Sequence, residues 1–274
     1  MDQKHLKTLD FSQILGRLAE YTSFSAGRDL ALALEPSPIL TEVQQRLRET
    51  REARHILGAH GGISFGGVRD VRPLAHNAQR GAALQPMELL EIYDTLRTAR
   101  RVRQTLIRLR EQAPLLADIA DRIEPCEALV DEISRCISDQ GEVVDHASEK
   151  LARIRREMRT IHERLLERLN RIIANPRYAG YLQELLITQR NGRYVIPLKA
   201  EFRGRIPGIV HDTSSSGATL FIEPLFMVEM GNQWRELQME EEREVQRILT
   251  ELSALVAELT DELIWTVEAL AELD

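Results

Sequence analysis

Arg193-Tyr-Val-Ile-Pro-Leu-Lys199, followed by Gly208-Ile-Val-His-Asp-Thr-Ser-Ser-Ser-Gly-Ala-Thr-Leu-Phe-Ile-Glu-Pro224, is a β-type island between two long helical patterns. Just before it, Arg190-Asn-Gly-Arg193 carries the Asn-Gly signature of a two-residue type I′ hairpin between strands over Leu185–Thr188 and Arg193–Ile196. Ile206–Asp212 and Ala218–Ile222 read as two further strands, joined by Thr213–Gly217. On the N-terminal side, Leu151, Ile154, Met158, Ile161, Leu165, Leu169 and Ile172 recur in steps of three and four, the narrow seam of a coiled coil, and Asn175-Pro176 ends it. On the C-terminal side a helical pattern runs from about Val228 to Leu270 through Trp234, Leu237, Val245, Ile248, Leu252, Leu255, Leu259 and Leu263. One helix of that length would be roughly 60 Å long, too long for a compact domain. It is expected to project, to pair antiparallel with 148–175 over its first part, and to return to the N-terminal helices with its last.

The fold class expected is therefore mainly α: a multi-helix domain with an inserted antiparallel coiled-coil arm, capped by a small four-stranded β tip. Residues 1–138 form the first part of the helical domain. The arm occupies 139–250, with stalk helices at about 148–175 and 228–250 and the tip at 184–223, and 251–274 return to the helical domain. Within the first segment Asp10 with Gln13, and Thr41 with Gln44, read as helix N-caps with capping boxes. Pro86 suits the first turn of a helix over Met87 to about Leu109. The chain stops at Asp274 within a continuing helical pattern, so it is expected to be part of a longer protein.

Composition narrows the function classes. With 43% hydrophobic and 29% charged residues the chain has the balance of a soluble globular protein, and 5% aromatic content favours helix-on-helix packing. Cys126 and Cys136 stand ten apart, which fits neither a redox pair nor a zinc knuckle, so a reducing cytoplasm is the expected setting. Met1-Asp-Gln-Lys-His5 opens no apolar signal segment, and no run of about 18 apolar residues could cross a membrane. Charge is segregated. Residues 1–144 carry 19 Lys/Arg against 21 Asp/Glu, residues 145–211 carry 14 against 7, and residues 212–274 carry 3 against 15. A basic block inside a chain of net charge −7 argues for a local polyanion site rather than general stickiness.

The candidate polyanion ligands are Arg190, Arg193, Lys199, Arg203, Arg205 and His211 on the strands and connections. The hydroxyls and backbone N–H groups of Ser214, Ser215 and Ser216 join them, with Arg153, Arg155, Arg156 and Arg159 on the incoming helix. Lys and Arg near a phosphate backbone gain affinity by counterion release, with no base reading required. For the helix arginines a second reading stands beside this one: pairing with Glu149, Glu157, Glu163 and Glu167 at helical spacing. For the strand residues only Glu184 and Glu201 are close acids along the chain. His211-Asp-Thr-Ser214 is no hydrolase triad, because adjacent strand residues point to opposite faces. His5, His55, His60, His76, His146 and His162 show no metal-ligand spacing, and the Gly58–Gly67 loop lacks the strand and Gly-Lys-Ser/Thr of a P-loop. No catalytic residue, metal site or cofactor is expected in these residues. The Glu240-Glu-Glu242 run is a solvated helix face or, alternatively, a partner for the opposite stalk arginines that would set the register.

The stretch from Arg193 through Glu223-Pro224 closely resembles the clamp of the second bacterial MutS paralogue, the Smr-domain-bearing MutS-like proteins. Leu9-Asp-Phe-Ser-Gln-Ile14 and the long flanking helices are similar to that family's core (lever) and clamp, so the resemblance covers essentially all of 1–274. It implies an all-α lever interrupted by a clamp with a β tip, leading into an ABC-type ATPase and an Smr nuclease domain. ATP and Mg2+ would belong to that ATPase, and neither its motifs nor those of the nuclease occur here. The resemblance further implies a homodimer whose two clamps embrace nucleic acid. The partner implied is branched DNA, in recombination suppression, or ribosomal RNA of a collided ribosome, in quality control. It assigns Arg193, Lys199, Arg203 and Arg205 to the clamp tip. Against a nucleic-acid clamp without catalysis stand two other readings: a structural lever that dimerises and transmits ATPase state with little intrinsic binding, and a coiled-coil hub docking on ribosomal protein.

Overall fold

The computed structural model describes residues 8–274; Met1–His5, read above for targeting signals, lie outside them. The chain forms two compact units, one of residues up to Val144 with Arg247–Asp274, the other Asp145–Gln246. It is mainly α, with eleven α-helices and one small antiparallel sheet among the described residues, as the periodicities require.

The first unit holds α1 (Phe11–Ala19), α2 (Ser25–Leu32), α3 (Leu40–His60), α4 (Arg72–Gln79), α5 (Pro86–Arg108), α6 (Pro114–Asp121) and α7 (Glu127–Cys136). Its core is the face of α5 bearing Leu89, Ile92, Leu96, Ala99, Val102 and Leu106, all fully buried or nearly so. Hydroxyls on buried helix faces hold the connections. Thr95 accepts the Arg69 N–H at 3.0 Å, Thr98 donates to the Gly66 carbonyl at 3.1 Å, and Ser253 accepts the Leu84 N–H at 2.8 Å. Each bond satisfies a group whose burial alone would cost about 1–3 kcal/mol.

Three expectations here are corrected. Asp10 is left-handed (φ 50°) and its side chain makes no cap bond, since a side-chain cap needs extended backbone at that position. The helix after Pro38 starts at Leu40, so Thr41 lies inside it; Ser37 serves that end instead, accepting the Ile39 N–H at 3.1 Å and donating to Glu42 at 2.5 Å. The C-terminal helix is not continuous to Leu270: α10 (Val228–Glu258) stops at Leu259 and α11 (Thr260–Leu273) follows. The buried Thr260 hydroxyl bonds the Ala257 carbonyl at 2.9 Å, a local alternative to the helical ladder. α11 then packs against α2, α4, α5 and α6.

The second unit pairs α8 (Glu149–Ile173) with the first part of α10 and carries the sheet. The helix pair is antiparallel, because Ser148 bonds Glu244 (2.8 Å), Arg155 bonds Glu241 (2.7 Å) and His162 stacks on Trp234 (5.2 Å between centroids). Ser148 also caps α8, accepting the Leu151 N–H at 2.9 Å. After the short α9 (Pro176–Ala179) come β1 (Thr188–Arg190), β2 (Arg193–Lys199), β3 (Gly208–Thr213) and β4 (Thr219–Pro224), in spatial order β1-β2-β4-β3. Asn191 (φ 52°) and Gly192 (φ 72°) make the tight β1–β2 turn, both in the left-handed region that a type I′ turn demands, and because that two-residue turn pairs Arg190 directly with Arg193, β1 lies at Thr188–Arg190 and not over Leu185–Thr188 as expected. Ile196 and Leu198 of β2 and Leu220 and Ile222 of β4 point to one face, where they join Leu165, Leu169 and Ile172 of α8.

Leu169 is fully buried where helix meets sheet. Leu169→Ala is expected to lower unfolding stability by about 2–5 kcal/mol in urea titration. A second prediction concerns pH. The guanidinium of Arg155 first, then that of Arg159, holds the Asp145 carboxyl below its ordinary value. Its folded pKa is depressed, so its stabilisation is present above the unfolded value of about 3.9 and is lost as pH falls through the folded one. Asp145→Asn should therefore flatten the acid limb of the stability profile below about pH 4. The side chain is nearly half exposed, so the effect should shrink with added salt.

Candidate nucleic-acid interface

The cations named from the sequence separate into those neutralised within the fold and those left to solvent. On α8, Arg155 is held between Glu241 (2.7 Å) and Asp145 (2.8 Å), and Arg159 reaches Asp145 at 3.2 Å. Arg153 lies 3.9 Å from Glu157, the one predicted helical pairing that forms, and Arg156 donates to the Ala152 carbonyl. The cross-helix acids Glu241 and Asp145 thus take the place of the i, i+4 glutamates for two of the four. Glu240 approaches Lys150 at 3.8 Å, so the acidic run faces the opposite helix, the alternative weighed above.

On the sheet the local acids are not limited to Glu184 and Glu201, as sequence spacing implied. Antiparallel pairing brings Asp212 and Glu223 against the strand cations. Arg190 lies across the sheet with its guanidinium 4.2 Å from the centre of the Phe221 ring and its Nε 3.2 Å from Asp212. Arg193 and His211 both turn to Glu223, at 3.4 Å and 2.7 Å, and Arg193 also donates to Asn232 at 2.7 Å. Glu223 is 2% exposed, so Arg193 and Glu223 form a largely buried ion pair, with the His211 ring hydrogen-bonded to the same carboxylate. Two local features build it. The β3–β4 register slips between Val210 and Asp212, leaving His211 as the extra residue of a bulge, which re-aims its side chain and breaks strand alternation. Gly231, in the first turn of α10, supplies the space: a β-carbon there would meet the Glu223 carboxylate and come within 2.9 Å of Arg193 Nη1. Glu223 escaped the sequence reading because no spacing rule links it to Arg193 thirty residues earlier.

The free cations cluster on the connections. Arg203 and Arg205 flank Gly204 (φ 83°), are exposed, and make no ion pair or side-chain hydrogen bond among the described residues. Lys199 has no acidic partner there either; its Nζ donates to the Gly180 carbonyl at 3.2 Å. The β3–β4 loop adjoins them, since the Ala200 N–H bonds the Ala218 carbonyl at 2.9 Å and Lys199 stands opposite Thr219. Within that loop the Ser214 hydroxyl accepts the Thr219 N–H at 3.0 Å and lies 3.4 Å from that of Ser216, while Ser215 and Ser216 are both exposed. Chemically this end can offer three cations and two hydroxyls to an anion. No group of three or more metal-ligating side chains occurs among the described residues, and none of their helices is long and apolar enough to cross a membrane.

No protein-family model matches the chain. Over its full 274 residues it is 43% identical to a protein named endonuclease MutS2 from Symbiobacterium thermophilum, of which it covers 34%. It is also 43% identical to the protein of that name from Pelotomaculum thermopropionicum and 42% identical to one from a Geobacillus strain, covering 35% of each. The chain thus spans about a third of the length of the curated relatives it matches, and the resemblance read from the clamp motif extends along all of it.

The buried triad and the free loop cations should respond oppositely to substitution. Glu223→Ala leaves Arg193 without its counter-charge and is expected to cost about 3–5 kcal/mol of stability. Arg203→Ala should change stability by no more than about 0.5 kcal/mol. Urea unfolding of both variants checks the contrast.

Proposed function

We propose that this chain, homologous along its whole length to part of the MutS2 proteins, is a nucleic-acid clamp segment without catalytic chemistry of its own. In this reading Arg203, Arg205 and Lys199 hold a phosphate backbone, and Ser215 and Ser216 add hydroxyl donors. One observation carries it: Arg203 and Arg205 stand exposed without an acidic partner among the described residues, in a chain of net charge −7. Free guanidinium groups gain affinity for phosphate by releasing its counterions, and no internal ion pair has to break first. The contacts are to backbone rather than base edges, so they serve branched DNA and ribosomal RNA alike.

The name of the relatives speaks of nuclease activity in longer proteins. We assign that activity, with ATP and Mg2+ binding, to the parts of those proteins this chain does not cover. A homodimer closing two such segments around nucleic acid in the cytoplasm, in recombination suppression or collided-ribosome rescue, completes the reading. The second reading is a structural lever that dimerises and relays ATPase state. Its support is the internal pairing of Arg155, Arg190 and Arg193 with acids, which leaves fewer cations for a ligand.

Fluorescence anisotropy of the chain with a four-way DNA junction, plain duplex and structured RNA across a salt series separates the two. The clamp predicts a steep salt dependence. Arg203→Ala with Arg205→Ala should weaken binding and reduce the slope of log K against log salt by about 1 for each phosphate no longer neutralised. Weak, salt-insensitive binding to all three ligands, unchanged in the double variant, supports the lever instead.

A further inference from the structure

The distal half of α8 carries a basic face that the loop cations do not explain. Arg164, Arg168 and Arg171 follow one another at steps of four and three, which places them on one side of the helix, and all are exposed. Arg164 and Arg168 have no ion pair or side-chain hydrogen bond among the described residues. Arg171 is bonded to Glu167 at 2.5 Å but remains 74% exposed. Opposite them the turn Leu225–Met227 buries Met227 and turns Phe226 outward, 51% exposed. Arg168, Arg171, Asn175, Tyr178 and Phe226 line an open cleft of about 350 Å3, with Ile172 among its walls. Among the described residues only the amide oxygen of Asn175 is engaged, by the Arg177 N–H at 3.0 Å, so its NH2 group is left for a ligand.

Cations beside aromatic rings, with one amide donor and an apolar wall, form the combination that holds a single unstacked base and its phosphate. A duplex would meet the arginines but could not place a base against Phe226. A protein partner would call for a continuous apolar patch rather than a face of three arginines. We propose that this cleft takes an unpaired nucleotide of DNA or RNA: the base against Phe226 and Tyr178, the phosphates on Arg168, Arg171 and Arg164. The proposal rests on the nucleic-acid reading above and adds to it a preference for single-stranded or unpaired positions.

The test binds the whole chain, by anisotropy, to labelled single-stranded DNA, single-stranded RNA and duplex DNA of equal length. Phe226→Ala should weaken single-strand binding about tenfold and leave the duplex unchanged. Phe226→Tyr should restore it, and the larger loss, on DNA or on RNA, identifies the strand the cleft takes. Arg168→Ala should weaken all three probes and reduce the salt slope by about 1. Phe226 is half-exposed, so thermal melting of its variants should match the parent chain. Equal losses on single strand and duplex in Phe226→Ala overturn the assignment. If Arg203→Ala with Arg205→Ala weakens binding while the Phe226 and Arg168 variants bind as the parent does, the cleft assignment falls and the clamp reading stands. If the parent chain binds none of the probes, both fall.

Discussion

A carboxylate taken out of water must be neutralised where it lies, and Glu223 imposes that condition on the second unit. Its side chain is 2% exposed, and an ion of that size left unpaired costs several kcal/mol. Arg193 from β2 and His211 from the bulge of β3 therefore converge on β4, and Gly231 with Asn232 brings the first turn of α10 against them. The same condition holds further along the helix pair. Glu244 is 1% exposed and is met by Lys150 at 3.2 Å and the Ser148 hydroxyl at 2.8 Å. Between these two points Arg155 and Glu241 set the register of α8 on α10. Lys150, Arg155, Arg190 and Arg193 of the basic block thus find counterions in the acidic segment that follows it, at Glu240 and Glu244, Glu241, Asp212 and Glu223.

That finding changes what net charge says about function. An excess of seven positive charges over 145–211 is an argument for a polyanion only as far as the cations stay unpaired. Arg155, Arg190, Arg193 and His211 have partners and shape the fold. Arg203, Arg205 and Lys199 at the loops, with Arg164 and Arg168 on distal α8, lack acidic partners among the described residues and remain to interact with a ligand. Two groups of cations follow, one suited to a continuous backbone and one set beside an exposed aromatic ring. Together they describe a surface that would favour a nucleic acid offering both duplex and unpaired regions.

Much of the architecture was legible in the sequence because it rests on local rules. The Asn-Gly turn declared the β1–β2 hairpin through its left-handed backbone, the seam from Leu151 to Ile172 declared α8, and the strand read over Ala218–Ile222 overlaps β4. The interruption at Leu259 was hidden, because a buried threonine hydroxyl competing for a carbonyl leaves no mark on hydrophobic periodicity. The site was less legible than the fold. Asp212 and Glu223 become neighbours of Arg190 and Arg193 only through sheet pairing, and a single-residue bulge decides where His211 points. The distal arginines were visible as residues. Their significance depended on Phe226 turning outward beside them, which chain spacing does not encode.

Arginine footprinting separates the paired guanidinium groups from the free ones in solution. The whole chain would be treated with phenylglyoxal, with and without a junction bearing a single-stranded arm, and modification read residue by residue by mass spectrometry. Arg203, Arg205, Arg164 and Arg168 should react in the free protein and be protected when nucleic acid is bound. Arg155 and Arg193 should react poorly in both states. Strong reaction of Arg193 or Arg155 in the free chain, with protection appearing there and not on the loop arginines, would contradict this division of the arginines.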